Sequence, residues 1–437
     1  MSDQAEKIRA LLQQDAEYYE DRAEREIERN RKGFFQLHLR DAQGNPLIGQ
    51  TVTLKQKSHD FNFGCNSFMI GQYPEEERNL AYREEFCKLF NLAVLSFYWR
   101  GTEPTRGELR YSNPARPLYR RPTCDDSVEF CRQNGLRMKG HPLFWHEFTP
   151  AWLPHRFEEL IPLIKKRFSE IAERYADIIP TFDVVNEPSR VYDVHMRDRL
   201  LGRDLYLPDD YVERIFKIAE QYFPANNLFL NDTVGAAFYD FRGIYSGYYQ
   251  EIQNLLQKGV RIDGIGLQCH AGLEQGCENL FNPKRLYQVL DAYGRFGKPI
   301  QISEIGFPSK LDGEQDEELQ ALFAKTLYTV AFSHPNVNGI VWWNLPDDGV
   351  ATQIRGTENL PSSGLLDGKY QEKQAYRVLY DLIQKQWHND FTLQSHARSY
   401  VTLRAFYGEY EVSVNGKPQG RIHLAQDIYD ELTLTVQ

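Results

Sequence analysis

The 437-residue chain has no apolar run long enough to span a bilayer, no pair of cysteines in a C-x-x-C spacing, and no Gly-rich phosphate loop after its first strand-like segment. These absences argue in turn against a membrane-spanning helix, a cysteine zinc site and a dinucleotide-binding first turn. Positive charge is also in short supply. Lys and Arg total 51 against 61 Asp and Glu, and the net charge of -10 counts against nucleic acid or an anionic membrane as partner. The opening MSDQAEKIRALLQQD has no basic-then-apolar segment, so no secretion signal is expected and the cytoplasm is the expected compartment. In that compartment the six cysteines, Cys65, Cys87, Cys124, Cys131, Cys269 and Cys277, are expected as free thiols.

What is abundant is aromatic. Tyr, Phe and Trp make up 13% of the chain, and aromatic-rich acidic proteins commonly stack sugars, although most such rings belong to cores. Residues up to about 32 carry Ile8, Leu11, Leu12, Tyr19 and Ile27 at helical spacing, which predicts a helix packed on the outside of a larger body. The period then changes to two. Phe35, Leu37 and Leu39 alternate with polar neighbours, DAQGNPLIG supplies turn residues, and Val52 and Leu54 alternate again, predicting a β-hairpin over 33–57. Alternation returns over 389–437 in Val401-Leu403, Tyr410-Val412-Val414, Ile422-Leu424 and Leu432-Leu434-Val436, with Asn415-Gly416 as a tight turn. A lone hairpin and a short sheet each need a partner face. The two ends are therefore expected to join in one small β-sandwich, either a structural brace or a carbohydrate-binding face.

Between 58 and 388 strand and helix patterns alternate. DFNFGC, NLAVLSF, LRMKGH, TFDVVNE, NLFLND, IDGIGLQCH, PIQISE and GIVWWN read as eight strands, with helical stretches such as YVERIFKIAEQYF and EELQALFAKTLYTVAFS between them. Eight units in about 330 residues fit a (β/α)8 barrel better than an open doubly wound sheet.

In such a barrel the chemistry sits at the C-terminal strand ends. Those ends read Cys65-Asn66, His141, Asn186-Glu187, Asn231-Asp232, Gln268 and His270, Glu304, and Trp343-Asn344. Glu187 ends the fourth strand and Glu304 the seventh, so the two carboxyls come from opposite sides of the ring. Glycoside hydrolysis needs two carboxyls across a pocket, one protonated for the leaving oxygen and one ionised, about 5 to 5.5 Å apart in a retaining enzyme and about 6.5 to 9.5 Å in an inverting one. His141 and His146 as a metal pair is the rival reading, but HEFTP lacks the second His of a zincin, and no metal or cofactor is expected.

The segments GHPLFWHEFTPAW, DVVNE, LFLND, GIGLQCH, ISE and VWWNLPD, with GLLDGKYQEKQAY closing the series, resemble glycoside hydrolase family 10 in order and spacing. The resemblance covers the barrel. It implies mostly retaining endo-β-1,4-xylanases on a (β/α)8 fold. By position, Glu187 resembles the general acid/base and Glu304 the nucleophile. Asn186 would bond the sugar 2-hydroxyl, His141 and Trp145 would line the subsite of the reacting sugar, and Trp343 rather than Trp342 would form an apolar wall. Gln268 and His270 would support Glu304, while Asp232 reads as structural. Three positions depart from the family pattern. Tyr98 stands where a Lys grips the upstream sugar, Gly306 where an Asp orients the histidine, and DDGVATQIRG has no tryptophan lid. The implied activity is retaining hydrolysis of β-1,4-linked xylose-containing saccharides. The departures favour, as alternatives, a β-glycosidase for another sugar or a decorated glycoside, and less so a non-catalytic saccharide-binding barrel. The partner is a carbohydrate.

Overall fold

The computed structural model describes residues 3–189, 205–311, 313–349, 360–427 and 432–436. Two amphipathic helices come first, α1 (Asp3–Gln13) and α2 (Ala16–Arg31). The single stripe expected there is interrupted at Asp15, whose φ of 58° cannot continue a right-handed helix. Ile8, Leu12, Tyr19 and Ile27 are still all buried, whereas Leu11 is only partly so. Arg31 anchors the end of α2, donating to the carbonyls of Phe332, His334 and Val337 at 2.5–2.6 Å, and burial pushes its guanidinium down to about 10.

Strands β1 (Lys32–Arg40) and β2 (Thr51–His59) follow. Then come β3 (Asn62–Asn66), β4 (Leu92–Ser96), β5 (Arg137–His141), β6 (Thr181–Asn186), β7 (Asn227–Asp232), β8 (Gly264–His270) and β9 (Ile300–Gly306). A small pair, β10 (Lys310–Leu311) and β11 (Glu314–Gln315), precedes β12 (Val337–Trp342). All pairings in the order β12-β3-β4-β5-β6-β7-β8-β9 are parallel and the ring closes. Strands β8 and β9 are buried at every residue, as expected where side chains fill the interior and helices cover the outside. Those helices include α3 (Glu76–Leu89), α4 (Cys124–Asn134), α5 (Phe157–Tyr175), α6 (Tyr211–Tyr222), α7 (Gly247–Gln257), α8 (Pro283–Gly294), α9 (Glu317–Ser333) and α10 (Gln374–Asp381). Their ends follow local chemistry. The Thr123 hydroxyl accepts from the Asp126 N–H and Gly135 closes α4 at φ 64°, while Asn282 caps α8 with Pro283 in its first turn. None of the described helices is long and apolar enough to cross a membrane.

The remaining strands are β13 (Asp390–Gln394), β14 (Tyr400–Phe406), β15 (Gly408–Val414), β16 (Lys417–Leu424) and β17 (Leu432–Thr435). They build two sheets, β14-β1-β17 and β13-β2-β15-β16. This corrects the expected hairpin: β1 and β2 do not pair with each other but enter opposite sheets. In this arrangement Leu37 and Leu39 of one sheet face Val52 and Leu54 of the other across a shared core with Val401, Leu403, Tyr410, Val412 and Val414. β17 also runs parallel to β1. Asn415 and Gly416 have φ of 50° and 78°, the geometry of a tight hairpin turn.

Barrel and sandwich meet at His59, whose ring packs edge-on against Phe63, Phe332 and Phe406. Burial pushes its imidazole down to about 3. All six cysteines are free and five of them are buried.

Candidate active site

Of four irregularities in the barrel register, three fall towards the ends that carry the polar groups: between Asp183 and Val185, between Leu267 and Gln268, and between Ile340 and Trp342. Such bulges re-aim side chains at a barrel rim. Glu187 follows directly on β6 with a φ of 54°, a left-handed conformation uncommon for a side chain of this kind. Its N–H donates to the Asn231 carbonyl at 2.8 Å. The strand that ends in Asn-Glu-Pro thus ends in a backbone bend that holds a carboxyl over the pocket.

The two glutamates are joined by amides. Gln268 Nε2 donates to Glu187 Oε1 at 3.0 Å and to Asn186 Oδ1 at 3.2 Å. Asn231 Nδ2 donates to the same Asn186 Oδ1 at 2.7 Å and to Glu304 Oε1 at 2.9 Å. Asn231 Oδ1 accepts from the Ser303 hydroxyl at 2.5 Å. Asn231 is fully buried, and a Cβ on Gly266 would come within 2.2 Å of its Oδ1, so only glycine leaves room for it.

Glu304 also accepts from His270 Nε2 at 3.1 Å, and His141 Nε2 lies 3.6 Å from its Oε1, too far for a hydrogen bond. His141 Nδ1 donates to Asp183 Oδ2 at 2.8 Å, which fixes the ring. Below it, the Lys139 ammonium lies 2.8 Å from Asp183 Oδ1 and donates to Gln301 Oε1 at 2.5 Å. Burial alone would raise the Asp183 carboxyl, but the charges of Lys139 and His141 outweigh it and hold the group below the usual carboxylate range. Two buried ring nitrogens on this side, His141 Nε2 and Trp145 Nε1, have no hydrogen-bond partner among the described residues.

Every residue singled out from the sequence, namely Glu187, Glu304, His141, Trp145, Asn186, Gln268, His270, Trp343 and Tyr98, is buried at this end of the barrel. Trp343 stands edge-on to His141 and His270, with centroids 5.4 and 6.1 Å away. Trp342 points elsewhere, donating to the Ser363 carbonyl within the core. Asp232 accepts from the Ser189 hydroxyl at 2.7 Å, holding the loop beyond Glu187. His146 lies in a short helical turn, 3.9 Å from Glu147, and among the described residues no group of three or more His, Cys, Asp or Glu side chains is placed to hold a metal ion. A Cβ on Gly306 would lie 2.8 Å from His270 Nδ1, so position 306 does face the histidine. The lid position falls in 350–359, outside the described residues. Asn231, Asp183, Lys139 and Ser303 were not singled out as site residues. Lys139 and His141, at i,i+2, share one face of a buried strand, but that spacing alone does not mark an ion pair.

The glycosyl hydrolase family 10 model matches residues 95–382. Endo-1,4-beta-xylanase 1 of Arabidopsis thaliana is 26% identical over 73% of this chain and 30% of its own length. Endo-1,4-beta-xylanase A of a Caldicellulosiruptor species is 29% identical over 59% of this chain and 38% of its own. The chain thus spans about a third of these curated relatives. Among solved structures, xylanase 10B from Thermotoga petrophila in complex with xylobiose superimposes with a TM-score of 0.57 at 22% identity, covering 75% of this chain and 95% of that one. Family match, barrel and ring of strand-end groups converge: this chain belongs to glycosyl hydrolase family 10.

Proposed function

We propose that the protein is a retaining β-glycosidase acting on β-1,4-linked, xylose-containing saccharides by double displacement, with Glu187 as acid/base and Glu304 as nucleophile. The observation that carries this reading is the amide relay through Gln268, Asn186 and Asn231 that ties one carboxyl to the other. Glu304, in contact with two N–H donors, serves as the carboxylate that attacks the anomeric carbon as the leaving oxygen takes the Glu187 proton. Water then enters, Glu187 removes its proton, and the glycosyl–Glu304 bond breaks with net retention. Asn186 is linked to both carboxyls through Gln268 and Asn231, and a contact from it to a sugar 2-hydroxyl would strengthen as charge develops. The ring nitrogens His141 Nε2 and Trp145 Nε1, which have no hydrogen-bond partner among the described residues, are the kind of buried groups that a sugar's hydroxyls satisfy. The relatives named endo-1,4-beta-xylanase support xylose as the sugar.

A second reading, a β-glycosidase for another sugar or a decorated glycoside, is favoured by one observation. Tyr98, an aromatic with no cationic head, occupies the upstream position and is buried. Turnover on aryl β-xyloside, β-glucoside and β-galactoside separates the two. The mechanism is tested with Glu304→Ala and an activated aryl glycoside. Activity should vanish, and added azide should restore release of the aryl group with a glycosyl azide of inverted configuration as product. A Glu304→Ala variant of undiminished activity refutes the assignment.

A further inference from the structure

In a double displacement, the sugar bearing the anomeric carbon lies over the nucleophile and the leaving group lies towards the acid. The side of Glu304 away from Glu187 is therefore the side of the sugar that becomes covalently bound. Here that side carries His141 and then a continuous arc of aromatic rings. Trp145 stacks on Phe148 with centroids 4.5 Å apart, Phe148 lies 5.3 Å from Tyr98, Tyr98 lies 5.7 Å from Phe68, and Phe68 lies 5.4 Å from Trp343. These are contact spacings for aromatic rings, so no pyranose fits between them. All five are buried, Tyr98 to 1% and Trp343 to 0% exposure.

The arc is also pinned from outside. The Arg121 guanidinium lies 4.2 Å from the centre of the Tyr98 ring, a close cation–π contact. Arg120, buried, donates to Asn344 Oδ1 at 2.9 Å, and the Tyr119 hydroxyl donates to the Asp348 carbonyl at 2.9 Å. The segment 119–121, which precedes α4, is thereby fastened across to the residues that follow β12. Arg78 pairs with the Asp348 carboxylate from a third direction. One sugar can satisfy His141 Nε2 and Trp145 Nε1, and Tyr98 packs against both of these rings, 5.4 Å from that of His141 and 5.8 Å from that of Trp145.

We infer that this site takes a single sugar on the non-reducing side of the cleaved bond, with Tyr98 and Arg121 as the residues that set this limit. The enzyme then removes terminal sugars from short saccharides or from simple glycosides and does not cut within long chains. The inference rests on the proposed function and narrows it.

The test compares the aryl β-monoside with the aryl β-bioside of the same sugar, using the full chain. Release of the aryl group from the monoside should be at least 100-fold more efficient in kcat/KM than its release together with an intact disaccharide. A linear tetrasaccharide should yield monosaccharide and trisaccharide as first products. Intact disaccharide as a first product from either substrate overturns the inference and leaves the proposed function standing. A folded protein that turns over no β-glycoside removes the proposed function, and this inference with it. Tyr98→Ala and Arg121→Ala should each raise aryl-bioside cleavage relative to monoside cleavage by at least tenfold. Should Tyr98→Ala not fold, the partly exposed Arg121 carries the comparison. An unchanged ratio in a folded variant overturns the assignment of that residue.

Discussion

The barrel and the terminal sandwich solve burial in opposite ways. In the sandwich, burial alternates along the strands, as in β15, where each inward residue is followed by a less buried one, and the inward residues shared by the two sheets are apolar but for the Tyr410 hydroxyl. That hydroxyl is satisfied by the Phe406 carbonyl. In the barrel, β8 and β9 are buried throughout, yet their upper ends carry Gln268, His270, Ser303 and Glu304. A buried polar group costs stability unless it is bonded. The barrel therefore gives the upper part of its interior to a hydrogen-bonded network, whereas the shared core of the sandwich is built mainly for cohesion. The lesson is that the same degree of burial marks function in one region and packing in the other, and only the chemistry of the buried atoms tells them apart.

Substitutions on the two sides should break the molecule differently. Glu304→Ala should lower kcat roughly 10,000-fold with the thermal midpoint little changed, measured by steady-state kinetics beside calorimetry. Asn231→Ala removes a donor to Glu304 and to Asn186. It should cost roughly 100- to 1,000-fold in kcat, and a loss below threefold would show that the relay is only structural. Leu54→Ala in the sandwich core should destabilise by about 2–5 kcal/mol in denaturant titration, while kcat per folded molecule stays at the wild-type value. Gly306→Ala brings a Cβ against His270 Nδ1 and should lower kcat roughly 10-fold with little effect on KM.

The smallest effect concerns the junction. The folded His59 imidazole sits at about 3 against 6.5 when exposed, so the unfolded chain takes up a proton that the folded one refuses. Stability should fall as pH drops from about 6.5 towards 3. The depressed Asp183 carboxyl adds a loss at lower pH, as it protonates through its folded value. His59→Gln should flatten the upper part of that acid slope in thermal melts and leave the lower part.

Legibility in the sequence followed the same divide. Alternation exposed the sandwich strands Tyr410-Val412-Val414 and Leu37-Leu39 directly, because one face of each is wet. Alternation does not say which strand pairs with which: it suggests β1 and β2 as hairpin neighbours, whereas their apolar faces require them to be opposed. β13, with only partly buried Phe391 and Leu393, was too weakly patterned to be read. Barrel strands appeared as short apolar runs ending in polar groups, and those ends located Glu187, Glu304, Gln268 and His270. Asp183 and Lys139 stayed hidden because nothing local distinguishes a buried ion pair from two polar residues on a rim; only the closure of β5 beside β6 brings them within 2.8 Å.

The placement of β1 between β14 and β17 has a consequence for biogenesis. Its partners lie about 360 to 400 residues further along the chain, so on a ribosome this strand has both edges open until that intervening stretch has been made. Throughout that interval Phe35, Leu37 and Leu39 lack their final cover, an apolar edge open to wrong partners.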